Sequence, residues 1–406
     1  MPLNIIFDLD ETLIDTSRLK PYRATDEGRK YVAENPFEVD TRDYSLLIKK
    51  VVKSYHSRNA ASIVTNAAPE YALSLLEKHG FPRDIPIYAN AQKPSIESIK
   101  QSREHHNSSE QETLMVGDTA KDILTAHQAR VASVAVTWGS TSTREQIEKA
   151  EPTKIISNPS SLEEIIANFE EGLFKYRSRR NHEGYKILPK EKRGITFDES
   201  PIHKCLGCFY NYKENKNDSY SNKIRAFNQS REISVEDIQR GSIREYFAGG
   251  KVRKGESFKE VLDYFKTGIC SLIESFKIEG EIGIIAAPNS CPEYCYKTDS
   301  NQMIIEKIAE ETGYKQGGDV SNNRRVISRI FPIAPSHFGG RRDLWMHHST
   351  MGYSPIINLE SIENIIIFDN IKTTGAQLES IASMLRYFDF KGEIYSVTLG
   401  DTFKDK

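Results

Sequence analysis

The sequence is poor in cysteine, and it has no excess of charge of either sign and no long apolar run. Its five cysteines are odd in number and unevenly spaced, so they provide no disulfide framework. The 55 basic and 57 acidic residues nearly balance, which leaves no global field to attract nucleic acid or a membrane. The longest apolar runs fall short of the ~18 residues that a membrane helix requires, and no signal segment precedes the first predicted strand. These absences predict a soluble, cytoplasmic protein without a membrane partner.

At 406 residues, the chain is long for a single hydrophobic core and predicts two or three domains. Residues 173–200 are basic, lack a helical or strand period and contain Gly and Pro. This composition is typical of a solvated linker; the alternative is a contact with nucleic acid, for which interleaved aromatic residues are missing. We therefore predict a first domain over residues 1–172, a linker over 173–200 and a second domain over 201–406.

Two aspartates, Asp8 and Asp10, follow the first apolar segment of the chain. Their spacing places both carboxylates on the same side of a strand end, because side chains alternate between faces along a strand. Neighbouring carboxylates repel each other and need a cation or a shared proton. With Mg²⁺ present, one of them can attack phosphorus while the other transfers a proton. The pair therefore predicts phosphoryl chemistry.

Three further segments follow later in the chain. Thr65 ends another predicted strand, Lys93 opens an amphipathic segment, and Asp118 follows a further apolar strand, with Asp122 four residues later. In this order, the residues resemble the four motifs of the haloacid dehalogenase (HAD) superfamily. The resemblance covers residues 1 to about 172 and is specific, because four independent signals coincide.

The resemblance implies a role for each residue. Asp8 would be the nucleophile that forms an aspartyl-phosphate, and Asp10 would protonate the leaving oxygen and then activate water. Thr65 would hydrogen-bond a phosphoryl oxygen, and Lys93 would neutralise charge on the transferring group and on Asp8. Superfamily members that cleave carbon–halogen bonds lack the second acid, so Asp10 favours a phosphatase or phosphotransferase.

The same resemblance implies a Mg²⁺ site. Asp118 would bind the ion together with Asp8 and the backbone carbonyl of Asp10, since Mg²⁺ prefers oxygen ligands. Asp122, one helical turn later, would hold the metal shell, and Gly117 would leave space for the ion. Taken alone, Asp118 and Asp122 also fit the N-terminal cap of a helix.

The apolar segments of the first domain predict a fold that suits this site. Predicted strands at residues 3–9, 61–65, 86–89, 113–117 and 132–136 alternate with helical segments. Such alternation predicts an α/β fold with a doubly wound parallel sheet, in which ligands bind at the carboxyl ends of the strands. Residues 15–58 have helical periodicity, and in relatives an insert at this point forms a small helical cap over the site. A closing cap favours a small phosphorylated substrate.

A second phosphate-binding pattern lies in the second half of the chain. An apolar strand ends at Asp369 and Asn370, and Thr373, Thr374 and Gly375 then open a helix, which makes a cradle for phosphate. This pattern resembles the phosphoribosyl-diphosphate signature of type I phosphoribosyltransferases. The resemblance implies a second doubly wound α/β domain, whose acids bind ribose hydroxyls and whose loop binds the 5′-phosphate.

Other residues of this half agree with that family or depart from it. Residues 287–290 follow a strand where these enzymes bind pyrophosphate, and Arg329 with residues 339–342 resembles the basic part of ComF-like members. Two departures weaken the case for transfer: Asn370 stands where a second acid is usual, and Gln377 replaces the final Thr of the loop. An amide hydrogen-bonds a hydroxyl but brings no charge. Transfer and mere binding therefore both stay open.

Four of the cysteines form two close pairs in the sequence. Cys205 and Cys208 are separated by two residues, and Cys291 and Cys295 by three. Four thiolates suit tetrahedral Zn²⁺, and ComF-like proteins often carry a Cys-x-x-Cys zinc element, so one prediction is a Zn²⁺ site at these residues. The alternative is that the cysteines are reduced structural thiols.

The patterns together predict a Mg²⁺-dependent phosphatase of a small metabolite, a nucleotide or ribose phosphate, fused to a domain that binds phosphoribosyl diphosphate or a nucleotide. One alternative is a phosphoribosyltransferase with an accessory phosphatase half. Another is a nucleotide-sensing or nucleic-acid end-processing protein, in which the second domain only binds its ligand.

Overall fold

The computed structural model describes most of the chain. The described residues are 2–23, 26–177, 185–197, 200–209, 218–229, 258–296, 299–316, 318–319, 324–333, 343–354, 359 and 361–402. The chain forms two compact units, Met1–Asn181 and His182–Lys406. No described helix is long and apolar enough to cross a lipid bilayer. Residues 339–342, which the sequence assigns to a basic loop, lie outside the described residues.

The first unit alternates strands with helices. Its strands are β1 (Asn4–Phe7), β2 (Ile14–Asp15), β3 (Arg42–Asp43), β4 (Ala61–Val64), β5 (Ile87–Tyr88), β6 (Thr113–Gly117), β7 (Ala132–Val136) and β8 (Lys154–Ile156). Its helices are α1 (Lys20–Arg23), α2 (Asp26–Glu34), α3 (Leu46–Ser57), α4 (Pro69–Lys78), α5 (Glu97–His105), α6 (Ala120–Gln128), α7 (Arg144–Lys149) and α8 (Leu162–Glu170).

Six of these strands form one parallel sheet in the order β5-β4-β1-β6-β7-β8. Alternate residues of β1 enter different cores: Ile5 and Phe7 pack in one apolar cluster, and Ile6 packs in another. A sheet buried on both faces requires such unbroken apolar strands. The parallel α/β sheet predicted for the first domain is therefore confirmed.

The segment predicted as a cap contains several elements with different contacts. β2 and β3 form an antiparallel ribbon, and α2 contacts α4. The helix Leu46–Ser57 instead contacts β4 and α8, and it buries Ile48, Val52 and Tyr55. Those apolar positions thus serve the helical layer on the sheet, and a cap formed by the preceding residues stays a prediction.

The second unit contains another parallel sheet. Its strands are β9 (Ile202–Cys205), β10 (Cys208–Phe209), β11 (Ile282–Ala286), β12 (Lys315–Gln316), β13 (Gly318–Asp319), β14 (Arg324–Arg325), β15 (Ile327–Arg329), β16 (Met351–Tyr353), β17 (Asn364–Lys372) and β18 (Glu393–Thr402). Its described helices are α9 (Ser219–Gln229), α10 (Phe258–Glu274), α11 (Ser300–Thr312), α12 (Leu344–Thr350) and α13 (Ala376–Tyr387).

The sheet of this unit has the order β10-β18-β17-β11-β12, and β9 also pairs with β18. All of these pairings are parallel. Ile284, Ile366 and Phe368 pack on one face, and Ile365 and Ile367 pack on the other. A second parallel α/β unit is therefore present, and its likeness to the phosphoribosyltransferases stays a prediction.

The described part of the predicted linker is hydrogen-bonded and packed against the second unit. The backbones of Lys186 and Tyr353 exchange hydrogen bonds of 2.7 and 2.8 Å, and Leu188 is fully buried in an apolar cluster of the second unit. Residues 185–197 therefore belong to the second unit, because Leu188 packs in its core despite the basic composition around it.

Candidate active site

The site begins where three neighbouring strands end. Asp8 directly follows β1, Thr65 follows β4, and Asp118 follows β6. Since β1 pairs with both β4 and β6 in parallel, these three residues come to the same edge of the sheet. The carboxyl edge of a parallel sheet is where α/β folds bind ligands.

Lys93 joins two carboxylates in this crevice. Its Nζ atom lies 2.6 Å from Oδ1 of Asp8 and 2.5 Å from Oδ1 of Asp122. The Lys93 side chain is only 4% exposed, so the ion pairs are shielded from water. The backbone N–H of Lys93 also donates to Oδ1 of Asn66 at 2.8 Å, which fixes the loop that carries the lysine.

Three buried carboxylates surround this single ammonium group. Oxygen atoms of Asp8, Asp118 and Asp122 all lie within 4.8 Å of one another. Burial raises the pKa of Asp8 to about 7, because desolvation and the charge of Asp122 outweigh the lowering effect of Lys93. Burial and the charges of Asp122 and Asp8 raise the pKa of Asp118 well above its ordinary value. The cluster thus has more negative charge than one lysine neutralises.

A divalent cation with oxygen ligands fits this cluster. Carboxylate oxygens are the ligands that Mg²⁺ prefers, and a buried group of three acids with one lysine retains an excess of two negative charges when all are ionised. Asp8 and Asp118 are the residues that would hold the ion. The side chain of Asp10 is not part of this group among the described residues, and the use of its backbone carbonyl stays a prediction.

Asp118 and Asp122 are held by different contacts. Thr12 donates from Oγ1 to Oδ1 of Asp118 at 3.2 Å, and the N–H of Thr141 donates to Oδ2 at 3.4 Å. Oδ2 of Asp122 accepts from the N–H of Thr119 at 3.0 Å and from its Oγ1 at 2.6 Å, which closes a capping box at the start of α6. Asp122 therefore caps the helix with one oxygen and contacts Lys93 with the other.

Gly117 lacks a side chain at a position that Asp122 closely approaches. A Cβ atom at this position would lie 2.5 Å from Cβ and Cγ of Asp122. The absent side chain thus makes room for Asp122, whose carboxylate could not otherwise reach Lys93. Its predicted role of leaving space for the ion stays a prediction.

Asp10 is oriented by two hydroxyl groups from elsewhere in the chain. Its Oδ1 accepts hydrogen bonds from Thr16 Oγ1 at 2.7 Å and from Tyr71 OH at 2.9 Å. Thr65 is 1% exposed, and its Oγ1 accepts from the N–H of Ala67 at 3.1 Å. The hydroxyl of Thr65 therefore keeps its own proton available for a ligand oxygen.

Sequence reasoning missed Glu11 and the residues around it. Glu11 has a φ of 61°, is 3% exposed and accepts hydrogen bonds from Tyr44 and Thr16. Burial and the Glu11 carboxylate raise the pKa of Tyr44, so this phenol stays protonated and donates. The position of Glu11 inside the first motif was a usable signal, whereas nothing local marks Tyr44 or Tyr71.

The predicted residues of the second unit also gather at strand ends. Asp369 is 8% exposed near the end of β17, and Asn370 donates from Nδ2 to Asn228 Oδ1 at 2.5 Å. Thr373 and Thr374 follow the same strand, and Gly375, with a φ of 85°, precedes α13. A positive φ suits glycine and turns the chain sharply into the helix.

Gln377, which departs from the expected pattern, is a contact point in this unit. Its Nε2 donates to the carbonyl oxygen of Pro288 at 2.8 Å, and its Oε1 accepts from Arg329 at 3.3 Å. Arg329 also donates from Nε to the carbonyl oxygen of Asn289 at 3.0 Å. The structure thus brings the loop at 287–290, Arg329 and Gln377 together.

The four predicted zinc ligands do not form one group. Among the residues that the structure describes, neither Cys291 nor Cys295 joins Cys205 or Cys208 in a set of possible metal ligands. Cys291 lies beyond β11, which is separated from β9 by β17 and β18, and adjacent strands lie about 4.8 Å apart. The four-cysteine ligand set is therefore corrected.

Known proteins match the first unit. Residues 90–162 match the family described as HAD-hydrolase-like. Phosphoglycolate phosphatase of Vibrio parahaemolyticus is 28% identical over 126 residues, which are 30% of this chain and 55% of that protein. The enzyme of the same name from Agrobacterium fabrum is 30% identical over 137 residues, 32% of this chain and 57% of that protein. The chain thus spans about half the length of the curated relatives that it matches.

Solved structures align with a somewhat larger share of the chain than the curated relatives do. A putative phosphatase from Clostridium difficile covers 41% of this chain and 99% of its own, at 19% identity and a TM-score of 0.35. A hydrolase from Pseudomonas syringae covers 42% of this chain and 98% of its own, at 16% identity and a TM-score of 0.34. The sequence matches support a HAD-like hydrolase domain in the N-terminal region.

Proposed function

We propose that the first unit is a Mg²⁺-dependent phosphatase that acts through an aspartyl-phosphate on Asp8. The observation that carries this proposal is the buried contact of Lys93 with Asp8 and Asp122, beside Asp118. A purely structural ion pair does not require three acids around one lysine, since unbalanced buried charge is costly. A divalent cation bound at the site would balance that excess.

In the first step, the Asp8 carboxylate attacks phosphorus and the bond to the leaving oxygen breaks. Asp8 must be ionised for this attack, and the ammonium group of Lys93 at 2.6 Å favours the charged form. Mg²⁺ held by Asp8 and Asp118 would supply positive charge to the phosphoryl oxygens. Thr65 donates its hydroxyl proton to one of these oxygens at the neighbouring strand end.

Asp10 is the proton carrier of the proposed reaction. It protonates the leaving oxygen in the first step, and its carboxylate then takes a proton from the water that attacks the aspartyl-phosphate. The hydrogen bonds from Thr16 and Tyr71 to Oδ1 fix the orientation of the carboxylate that transfers the proton. The residue is only half-buried, which lets it exchange its proton with water.

The proposed substrate is a small phosphorylated molecule. The two curated relatives are named for phosphoglycolate, a small phosphate ester, and this supports the size class. We propose a nucleotide or a ribose phosphate, because the second unit carries its own phosphate-binding pattern. Two linked sites benefit from their proximity when their ligands are related.

A metabolite screen tests the phosphatase activity. The pure full-length protein is assayed with Mg²⁺ against phosphoglycolate, ribose 5-phosphate and nucleoside monophosphates, and the Asp8→Asn variant is assayed in parallel. We expect release of phosphate that falls by several orders of magnitude in the variant. Asp84→Asn is the matched control, since it removes an exposed carboxylate. Turnover by Asp8→Asn close to that of Asp84→Asn would contradict the proposal.

A second candidate function belongs to the second unit. We propose that it binds a phosphorylated ribose, with Asp369 on the hydroxyls and Thr373, Thr374 and Gly375 on the phosphate. The loop that turns at Gly375 into the N-terminus of α13 favours this proposal, because helix N-termini attract anions. Both a transferase and a binding module remain compatible with Asn370.

Calorimetry with phosphoribosyl diphosphate and nucleoside monophosphates tests this binding. We expect heat of binding for the wild-type protein, and at least about tenfold weaker binding for Asp369→Ala, which loses charged hydrogen bonds. Glu310→Ala, at an exposed helical position, is the control. Formation of pyrophosphate when a base is added would identify transfer, and its absence with intact binding would identify a binding module.

A further inference from the structure

A group of three different donor atoms lies at the edge of the second sheet. His203 and Cys205 belong to β9 and are two residues apart, so their side chains share one face of the strand. β9 runs parallel to β18, which carries Asp401. A ring nitrogen of His203, the sulfur of Cys205 and a carboxylate oxygen of Asp401 all lie within 4.8 Å of one another.

Hydrogen bonds with neighbouring hydroxyl groups orient the imidazole of His203 and the carboxylate of Asp401. Nδ1 of His203 lies 2.9 Å from Oγ of Ser396, and Thr398 donates from Oγ1 to Oδ1 of Asp401 at 2.9 Å. Second-shell hydrogen bonds of this kind orient metal ligands and select the histidine tautomer. When the Nδ1–H donates to Ser396, the lone pair of Nε2 faces the group.

That lone pair faces another acceptor. Nε2 of His203 lies 3.1 Å from both carboxylate oxygens of Asp401. Two arrangements satisfy both groups: either Nε2 carries the ring hydrogen and donates to Asp401 while Ser396 donates to Nδ1, or a metal ion lies between Nε2 and the carboxylate. The side chains are 15% and 34% exposed, so an ion can enter from water.

The thiol of Cys205, which lies within 4.8 Å of both other donors, distinguishes these two arrangements. A hydrogen on Nε2 of His203 would satisfy the Asp401 carboxylate, and the sulfur of Cys205 would then have no role in the group. A metal ion uses all three donors, since it deprotonates the thiol that it binds.

A fourth donor lies one turn further along the chain. Cys208 begins β10, pairs in register with Asp401 and is exposed. The turn between the cysteines is constrained at Gly207, where a Cβ atom would lie 2.9 Å from the Tyr220 ring. The turn and the strand pairing place Cys208 near Cys205 and Asp401, and its exposed side chain, which lies outside the three-donor group, would rotate to reach the ion.

We propose that His203, Cys205, Cys208 and Asp401 form a four-ligand Zn²⁺ site on the second unit. Mixed sulfur, nitrogen and oxygen ligands suit an ion of borderline softness, and four protein ligands are typical of a structural zinc site. The ion would fasten β9 and β10 to β18. The site differs in chemistry from the all-carboxylate group of the first unit, which suits a hard cation.

Metal analysis of the full-length protein without a histidine tag tests the proposal. The protein is stripped with chelator, reloaded with Zn²⁺ in excess Mg²⁺, dialysed and measured by plasma mass spectrometry. We expect about one Zn²⁺ per chain in the wild type and in Cys270→Ser, the control for a half-buried thiol on α10. We expect at least a tenfold loss of Zn²⁺ affinity in Cys205→Ser and in Asp401→Asn.

Two measurements keep the test decisive. Circular dichroism identifies any variant that fails to fold, and Asp401→Asn preserves the shape of the side chain. Co²⁺ in place of Zn²⁺ should give a thiolate charge-transfer band in the near ultraviolet that Cys205→Ser lacks, whereas Co²⁺ on carboxylates alone gives none. The proposal is overturned if the folded wild type retains no Zn²⁺, or if Cys205→Ser and Asp401→Asn retain as much as the wild type.

Discussion

The ammonium group of Lys93 lies 2.5 Å from one carboxylate oxygen of Asp122, and the other oxygen of that carboxylate caps α6. A single side chain therefore joins the start of a helix to the charged centre of the site. Asp122 cannot move to follow a substrate without breaking the cap, so its contact fixes the position of Lys93. Rigid placement of a cation near a transferring phosphate favours catalysis, because no reorganisation is needed during the reaction.

The first prediction concerns Lys93. We expect Lys93→Met to lower kcat/KM by at least about 100-fold, since it removes a preorganised charge from the site. We also expect it to lower the Tm of the metal-free protein, because three buried carboxylates then lack their ammonium partner. Steady-state kinetics and thermal melts measure these effects.

Lys100→Met is the control, since Lys100 is exposed on α5. We expect Mg²⁺ to raise the Tm of Lys93→Met more than that of the wild type, because the ion supplies positive charge that the variant has lost. Equal activity of Lys93→Met and Lys100→Met would refute the role of the lysine.

The second prediction concerns stability and pH. The pKa of Asp8 is raised to about 7 in the folded protein from an ordinary value of 3.8. The folded state therefore binds the proton more tightly than the unfolded state, and the stability of the metal-free protein falls as pH rises from about 4 to about 7. Asp8→Asn has no such proton to lose.

Thermal melts in chelator at several pH values test this sign. We expect the Tm of Asp8→Asn to exceed that of the wild type by a margin that grows from pH 5 to pH 8. Mg²⁺ should reduce the margin, because it competes with the proton for the carboxylate. A margin that shrinks with rising pH would show that the ionised form of Asp8 is the better-stabilised one.

The third prediction concerns Tyr71, which donates to Asp10 at 2.9 Å. We expect Tyr71→Phe to lower kcat about tenfold with little change in KM, because one hydrogen bond to a charged group contributes roughly 1.5–3 kcal/mol. Tyr88→Phe is the matched control, since its hydroxyl donates to the backbone of Gln101 instead. A loss that appears equally in both variants would point to general destabilisation.

The fourth prediction concerns Gly117. We expect Gly117→Ala to lose at least about 100-fold in kcat/KM, because the new methyl group would displace Asp122 from Lys93. Gly268→Ala is the comparison, since its methyl group would meet only the end of the Leu206 side chain, at 3.0 Å. Normal activity of Gly117→Ala with reduced Mg²⁺ affinity would instead indicate that this glycine leaves space for the ion.

The sequence alone determined the elements and residues that depend on local pattern. The strands β1, β4 and β6 are largely apolar and buried, and Asp8, Thr65 and Asp118 each follow one of them. Because parallel strands bring their carboxyl ends to one edge, the order of these motifs was enough to predict that the residues meet. The spacing of Asp122 allowed both a helix cap and a place in the site, and in the structure this residue caps α6 and also contacts Lys93.

Only the tertiary structure decided the contacts between distant segments. Tyr71 reaches Asp10 across 61 residues, and His203 reaches Asp401 across 198. No local sequence pattern predicts either contact, since such pairs depend on which strands and helices become neighbours. The same reason explains why residues 185–197 were predicted as linker: composition describes how a segment interacts with water, whereas the burial of Leu188 depends on a core built from the rest of the second unit.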